Sequence, residues 1–201
     1  MTPRSDIIGV ILAGGDSTRM GTDKALLVLD DLTLIEHVAR TMRQVFKDVV
    51  VISNVPVKYS FLNLPTFPDV YRNCGPLAGI HSAFLHTHAP AVFVTACDTP
   101  FITKELIEHL ITSPAEEDVR VPSHDGKLHP LCSYYSRASL PAIESHLGRQ
   151  QFKIQEVFKE LTIHRVPITN DLPFYKKHIL SNINDLKEFK KFSGHLASLR
   201  K

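Results

Sequence analysis

Leu12-Ala-Gly-Gly-Asp16-Ser-Thr-Arg19-Met-Gly21-Thr-Asp23-Lys24 follows directly on the apolar run Ile7 to Leu12, which reads as a buried strand. A strand that empties into a loop with three glycines, an arginine and a lysine brings backbone N–H groups and two cations into one small volume. Gly14 and Gly15 can take positive φ and let the main chain approach an anion with no Cβ in the way. Successive N–H groups in such a turn form an anion-binding nest, and Arg19 and Lys24 complete a cradle for a triphosphate. Spacing excludes two common phosphate loops. The Walker pattern places four residues between its glycines, whereas five separate Gly15 from Gly21. The dinucleotide fingerprint needs Gly-x-Gly-x-x-Gly, which Gly14-Gly15-Asp16-Ser17-Thr18 does not supply.

Outward from this loop, strand-like runs at 7–12, 48–52, 91–96, 118–122 and 131–135 alternate with helical patterns, which predicts an α/β fold with a largely parallel sheet. Thr33 with Glu36 forms a capping box ahead of Leu34, Ile35, Val38 and Met42. Pro76 suits the first turn of a helix carrying Leu77, Ile80 and Phe84. Thr103 precedes Leu106, Ile107 and Leu110, and Asp185 with Glu188 opens a C-terminal helix. Up to about residue 104 the chain reads as regular βαβ units. Ser113 to Leu131, with its prolines and a His124-Asp-Gly-Lys127 turn, has little periodicity and reads as a binding loop. No repeat or linker divides the 201 residues, so a single domain over 1–201 is expected.

Charge and cysteine use narrow the function classes. The net charge is +2 and no block of five or six like charges occurs, so neither a nucleic acid nor a membrane surface is expected as partner. The N-terminal apolar run is too short for a secretory segment, and nothing approaches the roughly 20 apolar residues of a membrane span; the cytoplasm is the expected location. Cys74, Cys97 and Cys132 have no Cys-x-x-Cys spacing and read as buried, reduced thiols. Of the eleven histidines, His81, His86 and His88 show no matched pair elsewhere, and no histidine metal site is expected.

Ligands of open α/β sheets bind beyond the carboxyl ends of the strands. The loop from Gly14 to Lys24 lies there, as do Ser53-Asn54 and Cys97-Asp98. Asp98, followed by Thr99-Pro100, is a solvent-facing strand-end carboxylate in a rigid turn, suited either to Mg²⁺ bridging substrate phosphates or to capping a turn. Asn182 and Asn184 flank Ile183, so an extended backbone projects both amides to one face.

Leu12 to Lys24 matches the nucleotidyltransferase signature Leu-Ala-Gly-Gly-x-Ser-x-Arg-Met-Gly-x-Asp-Lys. Gly75-Pro-Leu-Ala-Gly79, Cys97-Asp98-Thr-Pro100 and Asn182-Ile-Asn184 then follow in the order of the molybdenum cofactor guanylyltransferases, a family the chain resembles over nearly its whole length. The resemblance implies one three-layer, Rossmann-like nucleotidyltransferase domain with a mostly parallel, mixed sheet. Its nucleotide half would span about 1–104 and its acceptor half about 105–201. It implies that GMP passes from GTP to a molybdopterin-type cofactor with release of pyrophosphate. Leu12, Ala13, Gly14, Gly15, Lys24, Asn54, Asp69, Gly75, Gly79 and Asp98 would bind the nucleotide. Arg19, Lys24 and Asp98 would act in catalysis, Asp98 would hold Mg²⁺, and Asn182 and Asn184 would meet the acceptor. Gly15, lacking a Cβ, would let a purine approach the main chain near Leu12 and Ala13. A monomer making transient contacts with proteins that deliver molybdopterin or mature molybdoenzymes completes the implication.

Departures and rivals are specific. Asp185 stands where the family has Thr or Ser, and Gly148-Arg149-Gln150-Gln151 matches its Gly-x-Arg only in part. Lys127, His129 and Arg149 are the cations at hand on the acceptor side, and Asp125-Gly-Lys-Leu-His-Pro130 resembles the family's strand lead-in. A cytidylyltransferase of the same pterin tends to Ala-Ala-Gly at Leu12-Ala-Gly-Gly15, and sugar-1-phosphate enzymes tend to Gly-Thr-Ala-Gly at Gly75-Pro-Leu-Ala-Gly79. A non-catalytic GTP-binding adaptor would not need Asp98 beside Lys24.

Overall fold

The computed structural model describes residues 5–14, 23–112 and 117–193. Arg19 and Gly15, both singled out from the sequence, lie outside the described residues. The centre of the fold is β1 (Ile8–Leu12). It runs parallel to β4 (Val49–Ile52) on one side and to β6 (Ala91–Ala96) on the other, with Val10 facing both Val50 and Val94. All residues of β4 and β6 are buried, as the continuous apolar runs of strands covered on both faces require.

Between β1 and β4 lie a short hairpin, β2 (Val28–Leu29) with β3 (Leu32–Thr33), and then helix α1 (Leu34–Val45). The expected capping box is present, Thr33 accepting from Glu36 N–H while the Glu36 carboxylate accepts from Thr33 N–H. β5 (Thr66–Phe67) adds to β4, and α2 (Gly75–Thr87) leads into β6. Gly75 has φ of +68°, which explains glycine there, and Pro76 occupies the first turn as expected. α3 (Lys104–Ile111) starts on the side chain of Thr103.

The second half supplies β7 (Val119–His124), β8 (Lys127–Leu128), β9 (Cys132–Ser136), α4 (Leu140–Gly148), α5 (Ile154–Val157), β10 (Ile163–Pro167) and α6 (Leu186–Phe192). The main sheet has the order β10-β7-β9-β6-β1-β4-β5, with β8 on β7. β9 is antiparallel to both β6 and β7, so every other strand of that path runs one way; the sheet is mixed and mostly parallel, as expected. One expectation is corrected: the 113–131 segment is not a loop throughout. Past Asp118, β7 continues through His124 because it pairs with β8 across a tight turn, where Asp125 and Gly126 both have positive φ.

Side chains of β1 alternate between two cores. Ile7 and Ile11 join α1 and α3 on one face, while Val10 and Leu12 join α2 and α4 on the other. A third, small cluster gathers Leu29, Leu34, Ile183 and Phe192, with the Phe192 ring centroid 4.6 Å from that of Phe101. It fastens α6 to the first half of the chain. Asp185 caps α6 through Glu188 N–H, as the sequence predicts.

Gly9 sets how closely α1 approaches the sheet. A Cβ there would stand 2.8 Å from Phe46 Cδ2 and 3.0 Å from Met42 Cε. Phe46 is 1% exposed and stacked on Phe93, so the ring has no room to retreat. Gly9→Ala is expected to cost about 1–3 kcal/mol of stability through overpacking. Urea unfolding measures it, and an unchanged midpoint would show that the helix can slide away freely.

Candidate active site

Three strand ends are locked together where their loops begin. Ala13 N–H donates to Ile52 C=O at 2.9 Å, and Cys97 N–H donates to Leu12 C=O at 3.1 Å. Above these ends opens a cleft of about 620 Å³. It brings together every described residue expected to bind nucleotide: Leu12, Ala13, Gly14, Lys24, Asn54, Asp69, Gly75, Gly79 and Asp98. A larger cavity, about 740 Å³, lies between α1, the start of α3 and residues 173–179, and holds none of these side chains.

At Gly14 and Gly79 glycine serves space rather than backbone freedom. Gly14 does not use the positive φ open to it. Among the described residues a Cβ on it would meet nothing nearer than Asp69 Oδ2 at 4.0 Å, so glycine leaves room on that side of the cleft. At Gly79 a Cβ would come within 2.8 Å of Leu12 Cδ2, so this glycine lets α2 pack against the end of β1.

Asp98 is 4% exposed, which corrects the expectation of a solvent-facing carboxylate. Lys24 lies over it, and Lys24 Nζ donates to Asp98 Oδ2 across 74 residues of sequence. Burial works to lower the Lys24 pKa, but the Asp98 carboxylate outweighs it and holds the ammonium above its ordinary value. The turn itself is fastened by Thr99, whose hydroxyl donates to Ala96 C=O at 2.7 Å and pairs with Thr95 at 3.0 Å. Asp98 Oδ1 is buried and has no hydrogen-bond partner among the described residues. An orphaned carboxylate oxygen beside a cleft is a ready ligand for a hard cation. No group of three or more His, Cys, Asp or Glu gathers among the described residues. The described residues thus offer a hard cation this one carboxylate.

Asp69 and Asn54 form a reciprocal pair: Asn54 Nδ2 donates to Asp69 Oδ2 at 2.9 Å, and Asp69 N–H donates to Asn54 Oδ1 at 3.1 Å. Burial raises the Asp69 pKa, and the Asn54 amide offsets this only in part. The Asp69 loop is tied to α2 by Ser82, which accepts from Val70 N–H at 2.8 Å, and by His86, which contacts Pro68 C=O at 3.0 Å.

Asn182 and Asn184 are outside the cleft lining, yet their segment abuts it. Ile183 N–H donates to Asp98 C=O at 2.8 Å, and Ile183 is fully buried. Asn184 N–H donates to Glu188 as part of the α6 cap. Arg149 is occupied elsewhere, bonded to Ser145 and Glu160 at the end of α4. Cys97 and Cys132 are buried and free, with burial pushing both thiols up to about 12, whereas Cys74 is only half-buried.

Lys58 and Tyr59 line the cleft without having been singled out from the sequence, and Asp23, quoted there as part of the loop signature, was given no role. Asp23 accepts from Ala25 N–H at 3.0 Å, from Tyr59 OH at 2.8 Å and from Lys58 Nζ at 2.5 Å. Burial alone would raise the Asp23 pKa, but the Lys58 and Tyr59 hydrogen bonds hold it below the usual value. Lys58 and Tyr59 sit on a 3-10 turn, Pro56–Leu62. The signal for that turn is Pro56 at its start with Tyr59 and Leu62 three residues apart, both buried.

Comparison with known proteins places the chain in a family. A family model described as a MobA-like NTP transferase domain matches residues 9–166. The chain is 35% identical over 185 residues to a "Probable molybdenum cofactor guanylyltransferase" of Carboxydothermus hydrogenoformans, covering 90% of this chain and 92% of that one. It is 35% identical over 162 residues to a "Molybdenum cofactor guanylyltransferase" of Desulfosudis oleivorans, covering 80% of each. A crystal structure of molybdopterin-guanine dinucleotide biosynthesis protein A from Archaeoglobus fulgidus superposes with a TM-score of 0.83 at 26% identity, covering 95% of this chain and 99% of that one. The chain belongs to the MobA-like NTP transferase family, whose relatives named here are molybdenum cofactor guanylyltransferases.

Proposed function

We propose that this protein transfers GMP from GTP to the terminal phosphate of a molybdopterin-type cofactor, with Mg²⁺ as its metal. The observation that carries the reading is the pairing of Lys24 with the buried Asp98 at the strand ends, with Asp98 Oδ1 left without a partner among the described residues beside the cleft. The names of the relatives support the choice of GTP and pterin. Among the described residues no helix is long and apolar enough to cross a membrane, and the reading takes the enzyme to be a cytoplasmic monomer met transiently by the proteins that bring its acceptor.

An acceptor phosphate oxygen attacks the α-phosphorus of GTP, a new P–O bond forms, and the bond to the β-phosphate oxygen breaks to release pyrophosphate. No general base is required, because the acceptor phosphate is already ionised near neutral pH. Catalysis is then positioning and charge neutralisation. Asp98 would supply the protein's carboxylate to Mg²⁺, an ion that when bound neutralises phosphate charge and polarises the reacting phosphorus. Lys24, released from Asp98, would stabilise charge on the triphosphate and the leaving pyrophosphate, together with Arg19. Gly14 would leave room for the nucleotide at the end of β1, and Asn54 and Asp69 would present a fixed amide–carboxylate pair to it. Asn182 and Asn184, held near Asp98 by the Ile183 hydrogen bond, would contact the acceptor.

Incubating the protein with molybdopterin-type acceptor, Mg²⁺ and each of the four nucleoside triphosphates tests the assignment. Pyrophosphate release with GTP far above the others is expected; equal use of CTP would contradict the guanylyl reading. Asp98→Asn keeps the shape of the side chain but not its charge. The variant is expected to fold, to lose the gain in GTP affinity that Mg²⁺ gives the wild type, and to form product at least ~10²–10³-fold more slowly. Titrating GTP with and without Mg²⁺ checks this, and a retained metal response would remove Asp98 as the ligand.

A further inference from the structure

Among the described residues that line the cleft, the cations are Lys24 and Lys58, and only Lys24 belongs to the glycine-rich loop motif. Against them stand the carboxylates of Asp23, Asp69 and Asp98. A triphosphate carries several negative charges of its own into this already acidic space, so each lysine's disposition matters. We propose that Lys58 is a second triphosphate-binding residue, held at the cleft rim by Asp23 and given up to the β- and γ-phosphates as the nucleotide enters. The inference rests on the nucleoside-triphosphate reading of the cleft.

Position supports it first. The Lys58 ammonium is 2.5 Å from Asp23 Oδ2, and Asp23 is the neighbour of Lys24 at the end of the phosphate loop. The lysine is thereby tied to that loop, whereas Asn54 and Asp69, on the same side of the sheet, are engaged with each other. The Lys58 side chain is 36% exposed and ends in a point charge on a flexible stem, which can turn from one anion to another without repacking the core.

The partner it leaves remains satisfied. Asp23 Oδ1 still accepts from Ala25 N–H, and Oδ2 still accepts from the hydroxyl of Tyr59, a side chain that is 3% exposed and fixed. Loss of Lys58 thus exposes no orphaned carboxylate, and the cost of release is small. A triphosphate, with more charge than one carboxylate, wins the competition for the ammonium. Lys24 differs: it answers to Asp98, which is buried and whose other oxygen has no partner among the described residues.

Calorimetric titration with Mg²⁺ separates phosphate contact from a structural role. Pyrophosphate has the phosphates without the base, and GMP has the base without the β- and γ-phosphates. Lys58→Ala is expected to weaken GTP and pyrophosphate each by about tenfold, the size of one partly exposed charge-assisted contact, while leaving GMP unchanged. Lys58→Arg should restore most of the loss, and melting curves on the same preparations should overlay the wild type. Unchanged GTP and pyrophosphate affinity, or an equal loss for GMP, would overturn the role of Lys58. A wild-type protein that binds neither GTP nor pyrophosphate would overturn the nucleotide reading itself, and this inference with it.

Discussion

The contact between Lys24 and Asp98 is the constraint around which the cleft is organised. It joins the end of the glycine-rich loop to the end of β6, 74 residues later, and it can form only because β1 and β6 are paired in register. A buried carboxylate with no countercharge would be strongly unfavourable, so the fold that buries Asp98 must also deliver the ammonium. The rest of the site follows. Cys97 N–H on Leu12 C=O fixes the approach of the two strand ends, Thr99 rigidifies the turn, and Ile183 N–H caps the Asp98 carbonyl from the far end of the chain. The second half thereby contributes to a cleft whose lining comes almost wholly from the first.

On the proposed reading, nucleotide entry would give the cleft a second state in which the same charges change partners. Closed on itself, each lysine answers a carboxylate: Lys24 to Asp98 and Lys58 to Asp23. A bound triphosphate offers both cations a stronger partner, and the carboxylates then need other company. Tyr59 and Ala25 provide it for Asp23, whereas Asp98 has only its unpaired oxygen to offer, which suits a divalent ion. The two aspartates thus differ, one well supplied with donors and one short of them, and the proposed metal role falls to the second.

Much of this was legible in the sequence because it is written locally. The apolar runs of β1, β4 and β6, the caps at Thr33, Thr103 and Asp185, and the first-turn Pro76 each depend on neighbours a few residues away. The cleft residues Lys24, Asn54, Asp69 and Asp98 could be singled out because they stand at strand ends or in motifs. β10 was not legible: of Ile163 to Pro167 only Val166 is buried, and its extended form comes from parallel pairing with β7. β5 is two residues long and exists only as an addition to β4. The Asp23–Tyr59–Lys58 cluster escaped because it joins a loop to a turn about 35 residues on, and no local pattern records that contact. Burial of Asp98 was illegible for the same reason: the ammonium on its carboxylate comes from Lys24 and the donor to its carbonyl from Ile183, both distant in sequence.

The central claim is that nucleotide entry opens the Lys24–Asp98 pair, turning the ammonium to phosphate and the carboxylate to metal. A crystal structure with GTP and Mn²⁺, with anomalous scattering used to locate the ion, tests it most directly. The account predicts an anomalous peak on Asp98 and on the nucleotide phosphates, with Lys24 moved onto the triphosphate. An ion held away from Asp98, with the Lys24–Asp98 pair still closed over bound GTP, would contradict it.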